Sequence, residues 1–255
     1  MSSLSTEKLK PFLDKLEAHS SLNQADCAAF EQLPFSFERV AAGSHIAREG
    51  DPAATFCGMV SGFSYRYKIV AGGGRQIVSV QVPGDFLDLQ SAALGMTVYS
   101  VQMMTPGEVA TLPAACLERL ADRHPDLHRA LWRETLVDAS IFAEWITNIG
   151  RRDARSRIAH LLCEFAVRLQ QCVSPPAPCF LLPMSQEQIA DATGLTPVHV
   201  NRTLQSMRHS GLIRTQKRQV IIDDWNQLMR VGDFDPAYLV ALPPVGQAIP
   251  LHQSV

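Results

Sequence analysis

The stretch Ser185-Gln-Glu-Gln188-Ile189-Ala190-Asp-Ala-Thr-Gly194-Leu-Thr196-Pro197-Val198-His199-Val200-Asn201-Arg202-Thr-Leu204-Gln-Ser-Met207 decides how the whole chain is read. Ser185 with Gln188 three residues on is a reciprocal cap that opens a helix, each side chain satisfying an amide beside the other. Ile189 and Ala190 supply a short buried side, and Gly194 permits the left-handed residue that a tight interhelical turn needs. Thr196 then caps a second helix, with Pro197 at its first position, where a missing N–H costs nothing. Val200, Leu204 and Met207 fall at i, i+4 and i+7 and point inward, leaving Val198, His199, Asn201, Arg202 and Gln205 on or near the exposed side. This is the spacing of a helix-turn-helix, whose second helix projects its first turns into a DNA major groove. There Arg pairs with guanine and Asn with adenine, and an apolar side chain touches a thymine methyl. Arg202, Asn201, His199 and Val198 are therefore the candidate base readers.

Downstream, Leu212-Ile-Arg214-Thr-Gln-Lys217-Arg218-Gln-Val220-Ile-Ile222 reads as a β hairpin with a basic tip, a wing able to rest on phosphates. Ser185, Thr196, Lys217 and Arg218 are the candidate phosphate contacts. Charge supports the assignment only when counted locally. The 255 residues carry a net charge of −2, which alone argues against a polyanionic partner, but residues 148–222 hold ten basic and four acidic side chains, a local excess of +6.

Upstream, Asp153 is placed to cap a helix running from Ala154 to about Gln170, and Val173-Ser-Pro-Pro-Ala-Pro178 reads as a linker or turn. Before that, Leu127, Leu131, Val137, Ile141, Phe142, Trp145, Ile146 and Ile149 spread an apolar surface wider than one seam over a single long helix. Such a helix covers more than one partner: one face on its own β unit, the other on a second subunit, an ordinary core helix being the alternative. Leu127, Leu131, Ile141 and Trp145 are the candidate dimer residues, and Asn148-Ile-Gly150 reads as a hinge. From Phe35 to about Pro113, short β-branched and aromatic runs are punctuated by glycine, as in a compact antiparallel β unit. Within it Phe63-Ser-Tyr65-Arg-Tyr67-Lys-Ile69 and Gln76–Val80 form a hairpin across Gly72-Gly73-Gly74, a turn rather than a phosphate cradle because no helix follows. Residues 4–33 hold two short amphipathic helices.

In their order, Glu49-Gly50-Asp51, Ser61-Gly62-Phe63, Val82-Pro83-Gly84-Asp85-Phe86, Arg152-Asp-Ala-Arg155-Ser-Arg157-Ile158-Ala159 and the Ile189–Leu204 segment resemble the Crp/Fnr superfamily of bacterial transcription regulators. The resemblance implies an α+β fold with an N-terminal antiparallel, jelly-roll-like β roll and flanking helices, a long dimerisation helix and a C-terminal winged helix-turn-helix. The corresponding division is a cyclic-nucleotide-binding-like sensor at 1–122, the dimerisation helix at 123–149, the DNA-binding domain at 150–232 and a tail at 233–255 to which no chemistry is assigned. It further implies a cytoplasmic homodimer on a palindromic site in double-stranded DNA, contact with RNA polymerase, and a signal in the roll that moves the hinge at Asn148–Asp153. The effector pocket would involve Gly84, Asp85, Phe86, Tyr99 and Ser100.

Departures from the pattern narrow the signal. Where nucleotide-binding members place Arg and then Ser or Thr, this chain has Tyr99-Ser100-Val101, so the cyclic phosphate loses its cation and cyclic nucleotide is disfavoured unless Arg66 or Lys68 substitutes. Only Cys27 lies in the region where oxygen-sensing relatives hold an iron–sulfur cluster, so none is expected; haem stays open through His45, His19 or Met103. No cofactor or metal is assigned. Many relatives begin the reading helix with Glu, which accepts from cytosine; Val198 cannot, so the half-site should differ there. The six cysteines lack a C-x-x-C pair and read as free thiols, with oxidation at Cys57, Cys116, Cys172 or Cys179 as a redox alternative. A ligand- or redox-sensing module acting through protein contact is the rival reading. A β-roll enzyme lacks a site, since His45 with Glu49 is not the cluster metal chemistry requires, and no apolar run is long enough to span a membrane.

Overall fold

The computed structural model describes residues 3–170, 179–216 and 219–239. The chain opens with α1 (Ser3–His19) and α2 (Gln24–Glu31), the two amphipathic helices read from the sequence. Asn23 and Asp26 cap α2 reciprocally. The strands β1 (Ser36–Val40), β2 (His45–Ala47), β3 (Thr55–Ser61), β4 (Ser64–Ile69) and β5 (Arg75–Gln81) lead to a short helix, α3 (Leu89–Leu94), and then to β6 (Ser100–Met103) and β7 (Gly107–Pro113). Two antiparallel sheets result, ordered β1-β7-β3 and β2-β6-β4-β5. Together they form the expected roll around Cys57, Met59, Leu87, Val101, Met103 and Val109. The β4–β5 hairpin turns at the triple glycine, where Gly73 has φ +80°.

The roll is closed on one side by α1, whose Phe12 stacks on Phe86. Only glycine fits opposite: a Cβ at position 58 would stand 2.5 Å from the Phe12 ring. After β7 come α4 (Ala114–Arg123) and α5 (Pro125–Arg151), divided at His124 because a proline's predecessor disfavours helical backbone. The long helix runs unbroken through Asn148-Ile-Gly150, so the expected hinge moves to Arg152, which is extended at φ −83° and ψ 150°. Asn148 is buried, its Nδ2 donating to the Arg157 carbonyl at 3.3 Å.

The second unit, here the head, comprises α6 (Ala154–Gln170), β8 (Cys179–Leu181), α7 (Gln186–Thr193), α8 (Pro197–His209), β9 (Ile213–Gln216), β10 (Gln219–Ile222), α9 (Trp225–Gly232) and a 3-10 turn at Pro236–Leu239. The wing is three-stranded rather than a bare hairpin, because Cys179–Leu181 adds to β10; the linker at 173–178 and the tip at Lys217 and Arg218 lie outside the described residues. Phe234 and Leu239 are buried in the head, so the start of the proline-rich tail is part of the core. One hydrophobic cluster runs from Tyr65, Tyr67 and Ile77 of the roll, past Val137, Ile141 and Trp145 of α5, into the head.

Leu127, Leu131, Ile141 and Trp145, expected on the dimer surface, are all buried in the chain's own core. The large hydrophobic residues left open on α5 are Trp132 (61% exposed), Leu136 (49%) and Ile146 (72%). With Ala139 and Ala143, also exposed, they form a stripe at alternating spacings of four and three, the seam a helix offers to a second helix. Because the apolar surface of α5 is wider than one seam, periodicity alone does not say which part of it turns outward.

Candidate nucleic-acid interface

Local sequence sets the reading helix in place. Ser185 Oγ accepts from the Gln188 amide at 3.1 Å while Gln188 Oε1 accepts from the Ser185 amide at 2.8 Å. Gly194 follows in the left-handed region at φ +64°, and Thr196 Oγ1 accepts from the His199 amide at 3.2 Å. Each capping hydroxyl keeps its own proton to donate, as a phosphate contact requires. Val200, Leu204 and Met207 are buried, as their spacing predicts, and Val198 is 63% exposed.

Thr196, His199 and Arg202 line a cleft of about 670 Å3 together with Asp153, Arg155 and Ser206, so the N-terminus of α6 and the outer face of α8 meet in one concavity. Asn201 stands aside from it, its Nδ2 donating to Gln186 Oε1 at 3.1 Å. The Arg202 guanidinium makes no hydrogen bond or ion pair with the described residues. Its neighbours are engaged. Arg155 donates to Ser210 and Arg208 to Thr215. Arg214 is paired with Asp223, and Arg157 bridges the Arg152 carbonyl (2.8 Å) and the Thr193 carbonyl (2.9 Å), tying the hinge to the end of α7. Arg152 holds Glu144 at 2.6 Å and Asp233 at 3.0 Å. Asp153 caps α6 through the Ser156 amide at 2.9 Å; that hydrogen bond is the main reason its carboxyl sits below the ordinary range.

The effector pocket expected in the roll does not assemble. Gly84, Asp85 and Phe86 are buried, and the amides of Gly84, Asp85 and Leu87 donate to the carbonyls of Met59, Val82 and Cys57. Asp85 is held by Lys15 at 2.6 Å and by Arg168. Burial alone would raise its carboxyl, but those two cations bring it below the usual range. Ser100 Oγ accepts from the Glu49 amide. Tyr99 borders an open groove of about 470 Å3 between the roll and α5, walled by Ile77, Val98, Phe142, Trp145 and Ile149.

Nor is Arg66 a spare cation. Its guanidinium is fully buried, donating to Phe86 O at 2.7 Å, Leu87 O at 3.2 Å and Asp138 Oδ2 at 2.7 Å beneath the Tyr99 ring. Apolar and polar residues alternate over 63–69, yet burial does not follow that alternation, since Ser64 and Arg66 are as buried as Tyr65 and Tyr67. Lys68 is paired with Glu49. With its loop amides and both candidate cations engaged, the roll does not fit a cyclic nucleotide phosphate.

Among the described residues no three His, Cys, Asp or Glu side chains converge as metal ligands. His45 shares hydrogen bonds with Tyr67 and Arg48, and Met103 lies in the roll core; the His19 side chain and Cys172 lie outside the described residues. Burial pushes the Cys163 thiol up to about 12 and, with Glu17 beside it, Cys27 up to about 11, the reverse of a reactive thiolate.

A residue that periodicity could not find is Arg168. From α6 it crosses into the roll to reach the Val80 carbonyl at 2.7 Å and Asp85, while also holding Glu164 at 3.2 Å. Glu164 Oε2 in turn accepts from Trp145 Nε1 and Tyr238 Oη, both at 2.8 Å. Arg75 of the roll pairs with Asp191 of α7 at 2.7 Å, and Gln76 donates to the Asp191 carbonyl at 2.7 Å.

Residues 156–231 match the Crp-like helix-turn-helix domain and residues 37–124 the cyclic nucleotide-binding domain. The chain is 30% identical over 196 residues to the nitrogen fixation regulation protein FixK of Bradyrhizobium diazoefficiens, covering 76% of this chain and 80% of that one. It is 28% identical over 194 residues to a probable transcriptional activator of Rhizobium leguminosarum, again covering 76% and 80%. The solved structure of FixK2 from Bradyrhizobium japonicum superposes with a TM-score of 0.70 at 25% identity, over 78% of this chain and 98% of that one. No helix among the described residues is long and apolar enough to cross a membrane.

Proposed function

This chain belongs to the Crp/Fnr family of DNA-binding transcription regulators, and from that premise we propose that it docks two winged helices of a homodimer on a palindromic operator with half-sites about one helical turn apart. The observation that carries this is Arg202: on the exposed face of α8, its guanidinium has no acceptor among the described residues, whereas Arg155, Arg157, Arg168, Arg208 and Arg214 of the head are each engaged. Arg202 and Asn201 read base edges, with His199 and Val198 beside them; Ser185, Thr196, Lys217 and Arg218 contact phosphates. The second subunit covers the stripe of Trp132, Leu136, Ala139, Ala143 and Ile146. Residues 1–122 serve as the sensor unit, 123–149 as the dimer helix and 150–232 as the DNA-binding unit. The Rhizobium leguminosarum relative is a probable transcriptional activator, and by that analogy the dimer works in the cytoplasm by contacting RNA polymerase, with no chemistry catalysed. Since the roll offers no site for a cyclic phosphate, DNA binding without that ligand is the expected behaviour.

Selection from a random DNA pool by the purified protein, without added ligand and at fixed salt, tests this. A palindrome should be enriched, and Leu136→Glu should yield monomers by light scattering and abolish the enrichment. An enriched site without two-fold symmetry, or a Leu136→Glu protein that stays dimeric, would overturn the arrangement.

A further inference from the structure

An amide pair, Gln186 of α7 with Asn201 of α8, crosses the helix-turn-helix. An asparagine amide has two faces: rotated by half a turn, it offers a base either the carbonyl oxygen or the NH2 group first, and so reads opposite hydrogen-bonding partners. A reading asparagine is selective only if something chooses the rotamer. Here Asn201 Nδ2 donates to Gln186 Oε1 at 3.1 Å. Gln186 is the first residue of α7, outside the Ser185–Gln188 capping pair, and exposed. It therefore stands against the reading helix without being needed to start its own.

We infer that Gln186 is a positioning residue that sets base specificity: by holding Asn201 Nδ2 it turns Oδ1 toward the groove as acceptor for adenine N6 or cytosine N4. One of the two Nδ2 protons satisfies Gln186, and the other remains to complete the bidentate contact with adenine N7. Without the glutamine the amide is free to invert and accommodate the acceptor edges of thymine or guanine.

This rests on Asn201 being a base reader, and the experiment separates the two. Binding-site profiles from random DNA are compared for wild type, Gln186→Ala, Gln186→Glu and Asn201→Ala. Asn201→Ala should erase the preference at one position in each half-site. Gln186→Ala should relax the preference at that same position by about five- to tenfold, as expected when an amide contact loses its fixed orientation, while positions read by Arg202 keep theirs. Gln186→Glu retains the acceptor and should retain the preference, with overall affinity lowered evenly by the added negative charge near phosphates. An unchanged profile for Gln186→Ala beside a lost position for Asn201→Ala would overturn the positioning role alone. Uniform weakening of all sequences by Gln186→Ala would make it a backbone contact instead and also overturn the role. A profile unmoved by Asn201→Ala would remove the base-reading assignment and the positioning role with it.

Discussion

Where the roll meets α5 and α6, Arg66 and Arg168 are buried and hydrogen-bonded; on the outer face of α8, Arg202 is exposed and unengaged. Arg66 and Arg168 direct their donors to backbone carbonyls and to Asp138, Asp85 and Glu164, whereas the Arg202 guanidinium has no acceptor among the described residues. The guanidinium is the same in both places. What differs is whether the fold supplies an acceptor, and so the +6 excess of residues 148–222 overstates what the head offers to DNA. Arg168 neutralises Asp85 of the roll, Arg152 is bound to Glu144 and Asp233, and Arg214 to Asp223.

The contrast is broken most severely at Arg168. Arg168→Met strips Glu164 of its cation and leaves Asp85 with Lys15 alone, both carboxylates remaining buried; removing one partner from such a network costs about 3 kcal/mol or more. Urea unfolding of the variant should show the unfolding free energy fall by that amount, and an unchanged free energy would mean the network contributes nothing. Arg202→Ala makes the opposite case. Its stability should stay within about 0.5 kcal/mol of wild type, while discrimination of the operator from a site changed at the guanine it reads should drop by about 1–3 kcal/mol; competition binding at constant salt measures this.

Acidity sharpens the comparison further. Burial pushes the Asp88 carboxyl up to about 7. In the unfolded chain it ionises near its ordinary value of 3.8, so its contribution to stability is complete below that pH and is lost as pH rises to about 7. Asp85, held below the ordinary range, contributes in the opposite sense: its share is present above pH 4 and is lost on further acidification. Asp88→Asn keeps an acceptor for the Cys57 amide, which Asp88 Oδ1 receives at 2.7 Å. It should remove a slope of up to about 1 kcal/mol per pH unit between pH 4 and 7, seen by chemical denaturation across that window. The smallest effect belongs to the half-exposed pair Arg75–Asp191: Arg75→Ala should cost about 0.2–1 kcal/mol, with the loss shrinking in high salt, and double-mutant analysis with Asp191→Ala isolates it.

The helix-turn-helix is legible because its signals are local. Caps at Ser185 and Thr196, the left-handed Gly194 and the Val200, Leu204, Met207 spacing each act within one turn, and all four stand where their chemistry places them. The roll, its glycine hairpin and the two opening helices are legible for the same reason. The outward face of α5 is not: Leu131 and Trp132, or Trp145 and Ile146, are adjacent and equally apolar, and only tertiary packing decides which of each pair is buried. The roll–head network is still less accessible, since Arg168 and Asp85 lie 83 residues apart and no period links them. Tyr99 and Ser100 were expected to share a pocket with Gly84–Phe86, but the loop's own hydrogen bonds and the intruding Arg66 use up that space.

Trp145 gives the molecule a built-in optical probe of its own joint. Its indole N–H donates to Glu164 of α6 while its ring is buried in the hydrophobic cluster that runs from roll through α5 to head, and the other two tryptophans are less buried, Trp132 61% exposed and Trp225 partly covered. With Trp132 and Trp225 replaced by phenylalanine, the remaining emission should be that of a shielded indole beside a carboxylate. Any rearrangement that draws α6 away from α5 wets that ring and shifts its colour to the red, so the movement of the head could be followed in a cuvette without a label.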